Sequence, residues 1–186
     1  MRNLTGPLGR VPPSSQFLPT PDAPVNPTIF ELSTAHTLAV IRAVDPSGLW
    51  DQNPGSGVWS LRDQLRHIAL VRESILRCLA GVATTGLGAV FETEAWRLGG
   101  TQALADAFER HAERCRDLLK ELDPIQLDRS FTTPFGNQST PRNYLRMMLL
   151  EETHHRAQMT LTLRLFGLTP PDYPGRAWVE LGVDQP

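Results

Sequence analysis

Glu151 and His155 lie four residues apart in a long helical pattern, with Gln158 three residues further on. Side chains at i and i+4 share one side of a helix, with Cβ atoms about 5–6 Å apart. A carboxylate oxygen and an imidazole nitrogen each bind a divalent ion at about 2.0–2.2 Å, so this pair can converge on one ion. On a helical wheel, Tyr144, Met148, Met159 and Phe166 mark the centre of the apolar face, with Met147 and Leu165 beside them. Glu151 and His155 fall in the middle of that face. Arg142, Arg146, Thr153, Thr160 and Arg164 fall opposite, toward water. A carboxylate buried without a partner is costly, and a metal ion would answer the cost. A third ligand must come from another helix, and His67 is the best placed. Three protein ligands leave coordination positions open for water or substrate, as at a catalytic metal centre. A buried Glu–His hydrogen bond without metal is the plainer alternative. Gln158, and His154 at the edge of the face, are placed to hydrogen-bond behind the ligands. His36 and His111 have no partner of comparable spacing.

Four helical segments must position these groups, and none of the chain alternates cleanly as a strand. The first runs from Pro27 to Val44, where Asp45-Pro46 stops it. The second starts after Ser60, with Asp63 in the N3 position of a capping-box spacing, and ends near Gly81. Its apolar face carries Leu61, Leu65, Ile68, Ile75, Leu76 and Leu79; Arg62, Arg66, Glu73 and Arg77 fall opposite, and His67 lies at the margin. Residues 82–100 read as a long connection with one helical turn. The third helix runs from Thr101, as N-cap, to Leu122, with a stripe of Leu104, Phe108, Ala112, Cys115, Leu118 and Leu119. A short extended pair falls between Phe131 and Gln138. The fourth helix has Thr140 as N-cap, Pro141 at N1 and Gly167 past its end. Tyr173 and Trp178, in the tail, are expected to pack back on the bundle. The fold expected is all-α, a four-helix bundle.

The chain has 186 residues, 40% hydrophobic and 20% charged, which suits one globular domain. Residues 1–26 form a Pro- and Gly-rich arm and 27–186 the bundle domain. A net charge of −2 argues against a nucleic-acid partner. No apolar run is long enough to span a membrane, and the N-terminus lacks the core of a signal peptide. Cys78 and Cys115 lack CxxC spacing and read as small buried hydrophobes of a reduced, cytoplasmic protein.

Two segments carry a family resemblance: NPGSGVWSLRDQLRHIALVRE, with Trp59, Ser60 and His67, and MLLEETHHRAQMTLTLRLFGLTPP, with His154, His155, Arg156, Gln158, Arg164, Gly167 and Pro171. Over roughly residues 27–174 the chain resembles the DinB/YfiT-like superfamily of bacterial metalloenzymes. The resemblance implies an up-down-down-up bundle, often dimeric, with a metal held by three histidines, one on the second helix and two on the last. Here Glu151 replaces the first of those two, and Ala157 replaces a glycine. Two imidazoles and one carboxylate favour harder ions than three imidazoles do, which leaves Zn, Ni, Fe and Mn as candidates. The resemblance further implies a small-molecule substrate, and in some members a low-molecular-weight thiol such as bacillithiol or mycothiol for S-transfer or isomerisation. A non-catalytic metal- or small-molecule-binding stress-response bundle is the alternative. A ferritin-like di-iron centre is a third reading. Glu151…His154 and Glu152…His155 have its Glu-x-x-His spacing, but helices two and three supply no second copy.

Overall fold

A computed structural model describes residues 27–44, 48–83, 85–134 and 136–171. The expected arm and the tail with Tyr173 and Trp178 lie outside the described residues. Four long helices dominate: α1 (Pro27–Ala43), α2 (Leu61–Leu79), α5 (Thr101–Lys120) and α6 (Pro141–Leu165). Two short helices, α3 (Leu87–Val90) and α4 (Glu94–Leu98), precede α5. The strands β1 (Phe131–Thr132) and β2 (Gln138–Ser139) pair antiparallel in the link before α6.

Local chemistry sets the ends of these helices. The Ser60 hydroxyl oxygen accepts from Asp63 N–H, and Thr140 does the same for Asn143. Both occupy N-cap positions, satisfying amides that the helix leaves open. Past the last residues of α2 and α6, Gly81 and Gly167 adopt left-handed φ values of 67° and 74°. In each case the following amide returns to a carbonyl five residues back: Val82 N to Arg77 O, and Leu168 N to Leu163 O. These are Schellman closures, which need a residue tolerant of positive φ. Thr101 is not the cap of α5; Gly100 is. The Thr101 hydroxyl instead donates to Val44 O and accepts from Trp50 Nε1, tying α5 to the loop after α1.

Helix α1 packs on α5 and α6, and α2 packs on the same two, most extensively on α6. The core has two parts. One draws on Val40 and Ile41 of α1, Leu61 and Leu65 of α2, Leu104 and Phe108 of α5, and Met159 and Leu163 of α6. The other draws on Phe30 of α1, Ile75 and Leu76 of α2, Cys115 of α5, and Tyr144 and Met148 of α6. The first part thus uses the late residues of α1 and α6 and the early residues of α2 and α5. The 82–100 connection holds two short helices rather than one turn, because Phe91 and Trp96 are buried in the first part of the core and anchor it.

Several polar residues assigned to water by their position on the wheel are buried. Arg62 forms a two-point ion pair with Asp51 and donates to the carbonyls of Trp96 and Gly99. Arg142 does the same with Asp128. Glu73 is buried against His111 and Arg77. In each case a fixed opposite charge or a set of carbonyls offsets the lost hydration, which an apolar wheel does not register.

Candidate metal centre

α2 and α6 lie side by side, and this brings His67, Glu151 and His155 together. One ligating atom from each lies within 4.8 Å of the other two. His67 Nε2 stands 3.9 Å from Glu151 Oε2, and His155 Nε2 stands 3.7 Å from the same oxygen. Both separations exceed a hydrogen bond. Three ligands about 2.1 Å from one ion at tetrahedral angles stand about 3.4 Å apart. The two separations from Glu151 Oε2 exceed that spacing by no more than about 0.5 Å. The donor set of two imidazoles and a carboxylate also fits a divalent ion. Among the described residues no other group of His, Cys, Asp and Glu converges in this way.

The centre is less sheltered than the wheel implies. The Glu151 side chain is 45% exposed, and that of His155 is 9% exposed. Glu151 therefore sits at the mouth, not in the middle of the buried face. The carboxylate that is buried is its neighbour, Glu152, 1% exposed and clamped by Arg72. The core-facing positions of α6 include Tyr144, Leu145, Met148, Glu152, His155, Met159, Thr162 and Leu163. Met147, Leu150, Leu161 and Leu165 are exposed, and placing Met147 and Leu165 beside the apolar face turns the wheel toward Glu151.

Aromatic rings frame the imidazoles. Trp59 stacks on His155 with centroids 5.5 Å apart and meets His67 edge-on at 5.1 Å. The two imidazoles themselves lie 4.4 Å apart. Behind His155, its Nδ1 lies 3.1 Å from Oε1 of the buried Gln64. Burial and the neighbouring His67 and His154 hold the His155 pKa below its ordinary value, which keeps the ring neutral, the form that binds metal. Gln158 donates to Nε2 of the exposed His154, and the His154 ring packs edge-on against His155. Gln64 was visible in the sequence only as a neighbour of His67. Three residues before His67, it lies on the side of α2 that turns toward α6.

Two clefts of about 410 and 400 Å³ flank Trp59. The first is lined by His67, Leu70 and Phe91 with the Arg66–Glu92 ion pair and Asp63. The second is lined by His155, Val58, Leu161 and Leu165 with the neutral Gln158 and Thr162. Each cleft reaches one imidazole of the centre.

A sequence model of the DinB family matches residues 30–181. The chain belongs to the DinB family. Its fold is similar to that of a DinB-like protein from Bacillus subtilis, with a TM-score of 0.64 at 20% identity over 80% of this chain and 96% of that one. A DinB-like protein from Bacillus cereus is similar with a TM-score of 0.59 at 18% identity, over 79% and 94% of the two chains. YfiT from Bacillus subtilis, described as "a probable metal-dependent hydrolase with an unusual four-helix bundle topology", is similar with a TM-score of 0.59 at 17% identity, over 81% and 94%. No curated protein matches the chain. Among the described residues of this DinB-family chain, no helix is long and apolar enough to cross a membrane.

Proposed function

We propose that this chain is a metal-dependent enzyme acting on a small molecule, with His67, Glu151 and His155 as the ligands of one divalent ion. The observation that carries the reading is the convergence of three metal-binding atoms within 4.8 Å from two separate helices. The description of YfiT as a metal-dependent hydrolase points the same way.

When bound, a divalent ion there would act as a Lewis acid, holding a thiol as thiolate or acidifying a water. The rest falls to the chain. The half-exposed Glu151 leaves the centre open to solvent and small molecules, and its charge offsets part of the ion's. Trp59 and the buried wall behind His155 hold the imidazoles in place. The neutral cleft of Val58, Leu161 and Leu165 suits the apolar part of an electrophile. The charged cleft of Arg66, Glu92 and Asp63 suits a zwitterionic cosubstrate such as a low-molecular-weight thiol. In S-transfer the thiol gives up its proton and its sulfur bonds to the electrophilic carbon. The bond from that carbon to its leaving group breaks, and the leaving group takes the electron pair. Dimer formation belongs to the same proposal and is supported by the exposed apolar residues of α6, Met147, Leu150, Leu161 and Leu165.

The test is metal content. Purified wild type dialysed against Zn, Ni, Mn and Fe salts is expected to retain about one ion per chain. Glu151→Ala and His155→Ala are expected to lose most of it with their helical content intact. Wild type that retains no ion overturns the proposal. Retained metal with no turnover on a panel of electrophiles, with thiol or with water, would favour a non-catalytic binding protein.

A further inference from the structure

Gln64 sits on α2 with its side chain fully buried at the contact with α6, 0% exposed. Its Oε1 lies 3.1 Å from His155 Nδ1, and its Nε2 has no hydrogen-bond partner among the described residues. A buried amide nitrogen whose two N–H groups meet no acceptor is costly. Leucine would fill a similar volume at this position without that cost, so packing alone does not explain a glutamine. The group its oxygen meets is the imidazole that faces Glu151 and His67 with its other nitrogen.

We propose that Gln64 is a positioning residue that fixes the tautomer and ring orientation of His155; its effect on the metal rests on the ligand assignment given above. With the Gln64 oxygen turned to the ring, Nδ1 of His155 carries the hydrogen and donates it. Nε2 is then the bare nitrogen. It stands 3.7 Å from Glu151 Oε2, an acceptor facing an acceptor with no proton between them. The opposite tautomer would put an N–H at Nε2 and remove the hydrogen from Nδ1, and the Gln64 amide would then have to turn over, offer its Nε2 to the ring and bury its oxygen without a donor. A hydrogen-bond acceptor behind a metal-binding histidine fixes its ring and raises its basicity, and losing one costs about 10–100-fold in metal affinity. Trp59 covers the ring face, so it restrains tilt but cannot choose between the two nitrogens.

The choice of tautomer is read in the metal-free protein, without the metal assignment. In wild type labelled with ¹⁵N at histidine, the His155 ring is expected in the Nδ1–H form. In Gln64→Leu it is expected as a mixture or as the Nε2–H form. Gln64→Glu keeps an acceptor at the same place and is expected to restore the Nδ1–H form. In a Co(II) or Zn(II) titration, Gln64→Leu should bind about 10–100-fold more weakly than wild type, and Gln64→Glu should recover most of the loss. Wild type in the Nε2–H form overturns the proposal even if no variant folds. So does a folded Gln64→Leu that keeps the wild-type tautomer or binds metal as wild type does. If wild type shows the Nδ1–H form but binds no ion, Gln64 still sets the tautomer, and it is the ligand assignment that fails.

Discussion

Glu151 and Glu152 are adjacent and chemically identical, yet the fold gives them different work. Glu152 is buried, and both of its oxygens face the Arg72 guanidinium, at 2.6 and 2.8 Å. Thr37 donates to it at 2.7 Å, and Thr34 accepts from Arg72. The guanidinium also lies over the rings of Phe30 and Phe108. Removing one charge from such a pair strands the other in the core. Glu152→Gln is therefore expected to lose about 3–5 kcal/mol of stability in urea unfolding. Glu151→Ala, at the half-exposed mouth, should stay within about 0.5 kcal/mol of wild type while losing metal. A loss of stability as large in Glu151→Ala as in Glu152→Gln would mean that the two roles are wrongly divided. The sequence shows two glutamates one residue apart. Spacing points to Glu151 as the partner of His155, but nothing in α6 alone shows that Arg72, 80 residues earlier, waits for Glu152. His67 and His155 could be paired because each lies on a strongly patterned helix, whereas Gln64 becomes visible only once α2 and α6 are side by side.

Between elements, α2 and α5 are joined at Glu73 and His111. The His111 Nδ1 lies 3.3 Å from Glu73 Oε2, and its Nε2 lies 3.4 Å from the Cys115 thiol. Hydrogen bonds from His111 and then Arg77 outweigh burial and hold the Glu73 pKa down at about 2, against an ordinary 4.5. Burial lowers the His111 pKa below its ordinary 6.5, with Arg72 and Arg114 adding to that and Glu73 opposing it. Burial also pushes the Cys115 thiol up to about 12, so it remains a proton donor at neutral pH. The signs agree. The unfolded chain takes up protons on both groups before the folded one does, so their stabilisation is complete above about pH 6.5 and is lost as pH falls toward 2. The urea midpoint should fall steadily between pH 6.5 and 3 in wild type and less steeply in a Glu73→Gln, His111→Gln double variant. Equal slopes would remove this pair from the account of acid sensitivity. Periodicity reads the four long helices well, and the caps of α2 and α6 with them, since capping hydroxyls and end glycines act through neighbouring amides; at α5 it misplaces the cap, which is Gly100 and not Thr101. It missed the two short helices and the α2–α5 charge cluster. Phe91 and Trp96 are placed by distant core contacts, and Glu73 by residues of another helix.

At the scale of the whole molecule, the face of α6 that bears the mouth of the centre is not covered by the rest of the described chain. Met147, Leu150, Leu161 and Leu165 are exposed along it, with the exposed His154 and half-buried Gln158 between them. From Met147 to Leu165 this face runs about 27 Å at the rise of an α-helix. Apolar side chains at such spacing, left in water, favour burial against a like surface. A second copy of the chain presents one, and a two-fold axis would bring the two α6 helices together. Seated there, the partner would lie beside Glu151 and the cleft lined by Leu161 and Leu165, so assembly and access to the centre would be linked. Wild type is expected to elute as a dimer in size-exclusion chromatography with light scattering. A Leu150→Glu, Leu161→Glu double variant should elute as a monomer with unchanged helical content, because both substitutions are on exposed positions. Its metal content should stay near that of wild type, since neither residue belongs to the ligand set. A wild-type monomer at micromolar concentration, or a dimer that survives both charges, would move the interface off this face of α6.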